Sequence, residues 1–315
     1  MSAVVRQPHG VEERMLALQA LLACPTASIR TEKAPKDISQ AQATIPIRVP
    51  LPDTSGETAS ADEEEREEEG AVYHLAYHSE SSYGATSYLI RLPRRRSDGS
   101  AGGVFNVMVD SPRWSVPLAK ELDGLGGVHA IFLTHQDDVA DHDRWAARFG
   151  APRVMHLDDI GPRTREVEIK LAGAGPWILR RDGDERISVD IFGKTEEGKG
   201  EDQDEHELTL IHTPGHTAGC VSLLWRRRRT PGWGRPAGVL FTGDHLAKNR
   251  HEGMARLTAF RGYCWGDWQQ QRESVEKLLG LDFTVVLPGH GRRDYFPGGV
   301  EEKDAALLEL LEKEW

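Results

Sequence analysis

From Val72 onward, short apolar runs alternate with turn residues. AVYHLAYH, GATSYLIRLP, GVFNVMVDSP, VHAIFLTH, APRVMH, EVEIKLAG, RISVDIFG, ELTLIHTPGH, GCVSLLW, GVLFTGDHL and FTVVLPGHG are rich in β-branched and aromatic residues and bounded by Gly, Pro or polar residues, the pattern of strands. SVPLAKELDGLG, DHDRWAARFG, WQQQRESVEKLLG and EEKDAALLELLEKEW repeat their apolar positions at helical spacing. Strands interrupted by helices predict a mixed α/β domain with two strand-rich halves. Upstream, residues 1–50 hold one helical pattern, VEERMLALQALLA, and then a polar stretch, expected as an N-terminal arm. Residues 51–71 carry the acidic run Asp62 to Glu69, which has too little apolar surface to offset chain entropy and is expected to be a disordered linker. Residues 72–315 make up the main domain.

Polar chemistry gathers where four of these strands end. LTH leads to His135, IHTPGH to His216, FTGD to Asp244 and VLPGH to His290. A strand places its last residue rigidly, and a neighbouring Gly or Pro turns the chain away so that the side chain can face a ligand. The densest stretch is IFLTHQDDVADHDRWA, with two histidines and four aspartates among the nine positions from His135 to Asp143. Imidazole and carboxylate suit zinc, iron or manganese, and no thiolate lies in these motifs to favour a structural zinc site. With Asp137 or Asp138 as the cap of a helix beginning near Val139, Asp141 and His142 fall in its first turn and face the same volume as His135. Complementing a helix dipole would account for one or two of the aspartates, not for the histidines as well. The number of donors points to two cations.

Composition narrows the alternatives. The 315 residues suffice for one enzyme-sized domain. A net charge of −11 argues against an electrostatic nucleic-acid binder. Much of that charge sits in ADEEEREEEG and EDQDEHE, read as solvated insertions. WRRRRTPGWGRP is read as an exposed hairpin loop after CVSLLW. Three separated cysteines, Cys24, Cys220 and Cys264, form no disulfide framework or CxxC knuckle, and Cys220 is expected to pack within a strand. No apolar run is long enough to span a membrane. MSAVVRQPHGVEERM carries acidic residues and no apolar signal core, so no targeting signal is legible. There is no Gly-x-Ser-x-Gly elbow to supply a serine nucleophile.

With VMVDSP, HQDDVADH, HTPGHTAG, FTGDHL and LPGHG in this order, the chain from Val72 to Phe296 resembles the metallo-β-lactamase superfamily, which includes glyoxalase II and other thioester and ester hydrolases. The resemblance implies a four-layer αββα sandwich holding two divalent metal ions, zinc first, with iron or manganese as alternatives. It implies His135, Asp137 and His216 on the first cation and Asp141, His142, Asp244 and His290 on the second, with Asp244 bridging. Asp110 supports the site from behind. Asp141 and Asp244 would carry the catalytic role, Asp141 by orienting the nucleophile. HQDDVADH departs from the family's H-x-H-x-D-H: Asp137 stands for the second histidine, and three residues rather than one separate it from Asp141 and His142. Asp138 is the alternative to Asp137. An added carboxylate makes the first site harder and shifts it toward iron or manganese.

YHSESSYGATSYLI, VDSPRW, LTHQDDVADHDRWAARF, TREVEIKL and FTGDHLA resemble a plant, algal and cyanobacterial subgroup in which the domain follows a ferredoxin-type iron–sulfur module. MLALQALLACPTASIRTEKAP resembles the closing segment of that module, making residues 1–50 a remnant of it. Only Cys24 is present there, so no iron–sulfur cluster is expected in this chain. A ferredoxin-type redox partner and a chloroplast or cytoplasmic location follow from the resemblance.

The expected function is metal-dependent hydrolysis of a small-molecule ester or thioester, with no nucleic-acid or membrane partner. Tyr83 and Arg292 are candidate substrate contacts on the rim, together with AFRGYCWGDW and Arg293. The alternatives are a mononuclear-iron oxidoreductase of the persulfide dioxygenase type and a non-catalytic metal-binding domain.

Overall fold

In a computed structural model of the chain, the structure describes residues 6–52, 70–95, 101–182, 186–191, 207–227, 238–251 and 253–315. The acidic run Asp62 to Glu69, nearly all of EDQDEHE and the body of the arginine-rich loop lie outside the described residues. Helices α1 (Gly10–Ala23) and α2 (Ile38–Gln42) precede the first sheet. That sheet has seven strands in chain order: β1 (Ile47–Arg48), β2 (Ala71–His74), β3 (Tyr88–Arg95), β4 (Ala101–Val109), β5 (Ala130–Phe132), β6 (Arg153–His156) and β7 (Ile169–Leu171). Pairing is antiparallel from β1 to β4 and parallel from β4 to β7. The parallel steps need crossovers, which include α3 (Val116–Gly124) and α4 (His142–Phe149). Ser115 caps α3 by accepting from the Leu118 amide at 3.4 Å.

The second sheet is built from β8 (Trp177–Asp182), β9 (Arg186–Ile191), β10 (Glu207–His212), β11 (Val221–Arg226), β12 (Gly238–Gly243), β15 (Phe283–Pro288) and β16 (Asp294–Tyr295), in the order β16-β15-β12-β11-β10-β8-β9. The short β13 (Ala247–Lys248) and β14 (Leu257–Thr258) pair separately. Helix α5 (Trp268–Glu276) carries the chain between the parallel strands β12 and β15, and α6 (Gly299–Glu314) ends it.

Alternation along the strands explains the layering. Val107 and Val109 of β4 join Phe132, Leu223, Trp225, Val239, Phe241, Val285 and Leu287 between the sheets, while Met108 faces the other way. In the second sheet Leu224, Leu240 and Val286 likewise face outward, against Val275 of α5 and Leu307 and Leu310 of α6. A strand apolar on both faces must be covered on both, and helices on the outer faces complete a four-layer αββα sandwich. The N-terminal segment, expected as an arm, supplies Leu18, Leu22, Ala41 and Ile45 to the outer core of the first sheet, and its β1 pairs with β2.

This architecture sets the strand ends at one rim. The chain leaves β4 at Asp110, β5 at Thr134–His135, β10 before His216, β12 at Asp244 and β15 before His290.

Candidate metal centre

His135 is wholly buried, and its orientation is fixed from behind. Thr134 donates its amide to Asp110 Oδ1 at 2.8 Å, and its hydroxyl lies 3.0 Å from the same oxygen and 3.0 Å from His135 Nδ1. A hydroxyl that donates to the carboxylate must accept from the imidazole. His135 therefore carries its proton on Nδ1 and turns the Nε2 lone pair toward the rim. Asp110, which adopts a left-handed φ of 55° where β4 ends, acts through Thr134.

Two groups of donors converge there. His135, His216 and Asp244 present ligand atoms all within 4.8 Å of one another, and so do Asp138, Asp244 and His290. Asp244 belongs to both: Oδ2 lies 3.8 Å from His135 Nε2 and 3.7 Å from His216 Nε2, while Oδ1 lies 2.7 Å from His290 Nδ1. Asp137 Oδ2 adds a further oxygen to the first group, 3.9 Å from His135 Nε2 and 3.7 Å from His216 Nε2. On the other side of His290, Nε2 donates to the Tyr83 carbonyl at 3.2 Å, which leaves Nδ1 facing Asp138 and Asp244.

The residues fit cations on a direct observation. His135 Nε2, both ring nitrogens of His216 and both carboxylate oxygens of Asp138 are buried without a hydrogen-bond partner. Buried polar atoms are nearly always paired, and leaving His135 Nε2, His216 Nε2 and the Asp138 oxygens unpaired would be costly unless a ligand takes them up. Shape agrees. A Cβ on Gly289 would stand 2.7 Å from Asp138 Oδ2 and 3.2 Å from Asp244 Oδ1, so a side chain there would fill the second site.

Electrostatics point the same way. Burial pushes the Asp138 carboxyl well above the usual carboxylate range, and the neighbouring Asp244, Asp110 and Asp137 charges add to it. Asp110 is pushed up to about 7, again by burial first. Burial also lowers His135, against the pull of Asp244. For Asp244, burial is outweighed by His290, His135 and His216, and its carboxyl stays below the ordinary value. So many carboxylates cannot all ionise in a dry pocket unless positive charge is supplied, and divalent cations supply it.

The geometry corrects part of the expected ligand set. Asp141 and His142 do not join either cluster. Asp141 accepts from the Trp114 amide at 2.6 Å. His142 Nε2 donates to the Arg163 carbonyl at 3.1 Å, and Nδ1 lies 3.2 Å from the Arg153 guanidinium. The reason is the length of the loop: the helix expected near Val139 begins at His142, with Asp141 at its cap. The two additional residues carry this pair past the rim, and Asp138 takes the buried position beside Asp244 and His290. The Asp137-or-Asp138 alternative becomes both, one toward each cluster. Tyr83 touches the site through its carbonyl, its side chain being exposed, and Arg292 is exposed with its carbonyl accepting from the Lys248 amide at 3.0 Å.

Asp159 and Gln271 were not anticipated. Gln271, wholly buried on α5, accepts from the His216 amide at 2.7 Å and donates to the His245 carbonyl at 2.7 Å, bracing two ligand loops at once. In sequence it is one of three consecutive glutamines on a helix, with nothing to mark it. Asp159 follows β6 in HLDDIG, and a polar strand end was its one available signal.

A buried constellation of imidazoles and carboxylates on the rim of an αββα sandwich defines a metal-binding protein of the metallo-hydrolase type. The sequence profile described as metallo-beta-lactamase superfamily matches residues 98–290; the chain belongs to that superfamily. A HARLDQ-motif mutant metallo-beta-lactamase from Cronobacter sakazakii is similar at 14% identity, over 70% of this chain and 77% of that one, with a TM-score of 0.41. The subclass B3 metallo-beta-lactamase BJP-1 of Bradyrhizobium japonicum is similar at 16% identity over 76% and 88%, with a TM-score of 0.42. The Rm3 metallo-beta-lactamase is similar at 17% identity over 78% and 91%, with a TM-score of 0.44. The comparison with curated proteins gives no match. A second profile, the 4Fe-4S single cluster domain of Ferredoxin I, matches residues 1–31. This match counters the expectation that no iron–sulfur cluster belongs with the chain. Cys24 is the one cysteine in that segment, where a four-iron cluster takes four thiolates. Among the described residues, no helix is long and apolar enough to cross a membrane.

Proposed function

We propose that this protein is a two-cation hydrolase of a small-molecule ester or thioester. The observation that carries the reading is the division of Asp244 between two donor groups, one oxygen in each, the arrangement of a carboxylate that bridges two cations. His135, Asp137 and His216 would complete the first site, and Asp138 and His290 the second. When bound, the cations supply an acidified water near neutral pH and polarise the scissile carbonyl.

The chain's own part is placement. Asp110 and Thr134 hold His135 in the tautomer that presents Nε2, and the Tyr83 carbonyl holds His290 with Nδ1 inward. Asp138, whose buried carboxylate oxygens have no hydrogen-bond partner, takes over the orienting role expected of Asp141. The Tyr83 ring, 77% exposed on the segment that holds His290, is available for substrate contact. The test is elemental analysis of protein purified without added metal, followed by hydrolysis assays on a panel of acyl thioesters and aryl esters. Two cations per chain and cation-dependent release of the thiol or alcohol are expected. A chain that takes up no cation, or that takes up two and cleaves neither class, overturns the reading.

A second reading, an iron oxidoreductase acting on persulfides, has one observation in its favour. The first donor group combines two imidazoles with the Asp137 and Asp244 carboxylates, a hard set that suits iron. The ferredoxin-type match on residues 1–31 agrees with a redox role and with a ferredoxin-type partner. One iron per chain and oxygen uptake with a persulfide would favour this reading over hydrolysis.

A further inference from the structure

We propose that Asp159 is a positioning residue that fastens the His135 loop to the His216 loop and thereby sets the spacing of the first cation site. This assignment rests on the cation-binding reading above. Asp159 follows β6 and is 2% exposed, yet it is a ligand in neither donor group. Its carboxylate reaches both loops that deliver the first group. Oδ2 accepts from the Gln136 amide at 3.1 Å and from the Thr217 hydroxyl at 2.6 Å, and Oδ1 accepts from the Gly219 amide at 2.8 Å.

Gln136 lies between His135 and Asp137, and Thr217 directly follows His216. One carboxylate thus ties together the chain beside His135, Asp137 and His216, next to the Val221 amide that donates to the Thr134 carbonyl across the same two sheets at 2.9 Å. The fit is close. A Cβ on Gly219 would stand 2.6 Å from the Asp159 carboxyl carbon, so the glycine admits the clamp at this distance. Three donors leave neither oxygen of this buried carboxylate without a partner, so its position is fixed from both loops. Hydrogen-bonding partners behind metal ligands typically change cation affinity by about 10- to 100-fold when removed.

The experiment uses the full chain, stripped with a chelator and titrated with zinc(II) against a chromophoric competitor, and separately with cobalt(II) followed by its visible absorption. Asp159→Asn keeps the shape and one acceptor but loses the charge and one hydrogen bond. In that variant the first site is expected to weaken by about 10- to 100-fold, with its share of the cobalt spectrum altered, while the Asp138–His290 site keeps its affinity and circular dichroism stays that of the parent. A folded Asp159→Asn chain with both zinc affinities and the cobalt spectrum of the parent overturns the assignment. If that variant does not fold, Thr217→Val removes one donor without touching the carboxylate. A several-fold loss confined to the first site is then expected, and parental affinity counts against Asp159. A parent chain that takes up no cation removes the two-cation reading itself, a different failure.

Discussion

Asp138 Oδ2 lies 3.9 Å from His290 Nδ1, while the adjacent Asp137 Oδ2 lies 3.7 Å from His216 Nε2. Neighbours in sequence, the two carboxylates serve different donor groups. One turn of chain between β5 and α4 distributes them, with Asp138 fully buried and Asp137 partly open to solvent.

Asp138 and Asp141 should therefore respond differently to mutation. Asp138→Ala is expected to remove the second cation, read as a fall from two to one per chain by elemental analysis. Asp141→Ala should leave cation content unchanged and cost about 1 kcal/mol of stability, the worth of its bond to the Trp114 amide. Loss of a cation in the Asp141 variant with the Asp138 variant fully loaded would restore the family-based assignment.

Gly289→Ala tests the second site without altering any ligand. Its Cβ would sit 2.7 Å from Asp138 Oδ2, closer than real contacts allow, so the second cation should be lost or weakened at least tenfold. Parental stoichiometry by elemental analysis, with the fold intact, would show that the cations sit elsewhere.

His216→Ala should reduce bound cation and abolish hydrolysis. Stripping the parent with chelator should lower its melting temperature, because a ligand held at about 100 times its dissociation constant stabilises by about 2.7 kcal/mol. The variant should show a smaller chelator-induced drop. An equal drop in both proteins would separate His216 from the cations.

Asp137→His replaces a hard oxygen with imidazole beside His135 and His216 and should raise the zinc-to-iron ratio bound in a competition experiment. An unchanged ratio would mean that Asp137 does not touch the first cation.

His74 sets an acid limit on stability. Its Nε2 meets His78 Nε2 at 3.0 Å, a bond that needs one lone pair and so excludes protonation of both rings. Burial first, then the Arg293 and His78 charges, lower His74 to about 3. The unfolded chain titrates near the ordinary value of about 6.5, so it binds the proton first as pH falls. The contribution is complete above about pH 6.5 and is lost progressively from there down toward 3. Melting temperatures of the stripped chain across this range should fall less steeply in His74→Gln than in the parent; identical slopes would contradict the assignment.

The sequence by itself determined the layered α/β class, because alternating apolar runs such as VFNVMV and VLFTG must be covered on both faces and the helices between them supply the cover. It also marked His135, His216, Asp244 and His290, since each directly follows an apolar strand and a turn residue, a local pattern. Only the tertiary structure decided which of the four aspartates between His135 and Asp143 turn toward the buried histidines and Asp244. Two additional residues carry Asp141 and His142 toward Trp114, Arg153 and Arg163, partners distant in sequence. Asp159 and Gln271 were hidden for the same reason: their carboxylate and amide act on loops 23 and 55 positions away, and no local periodicity records a contact of that range.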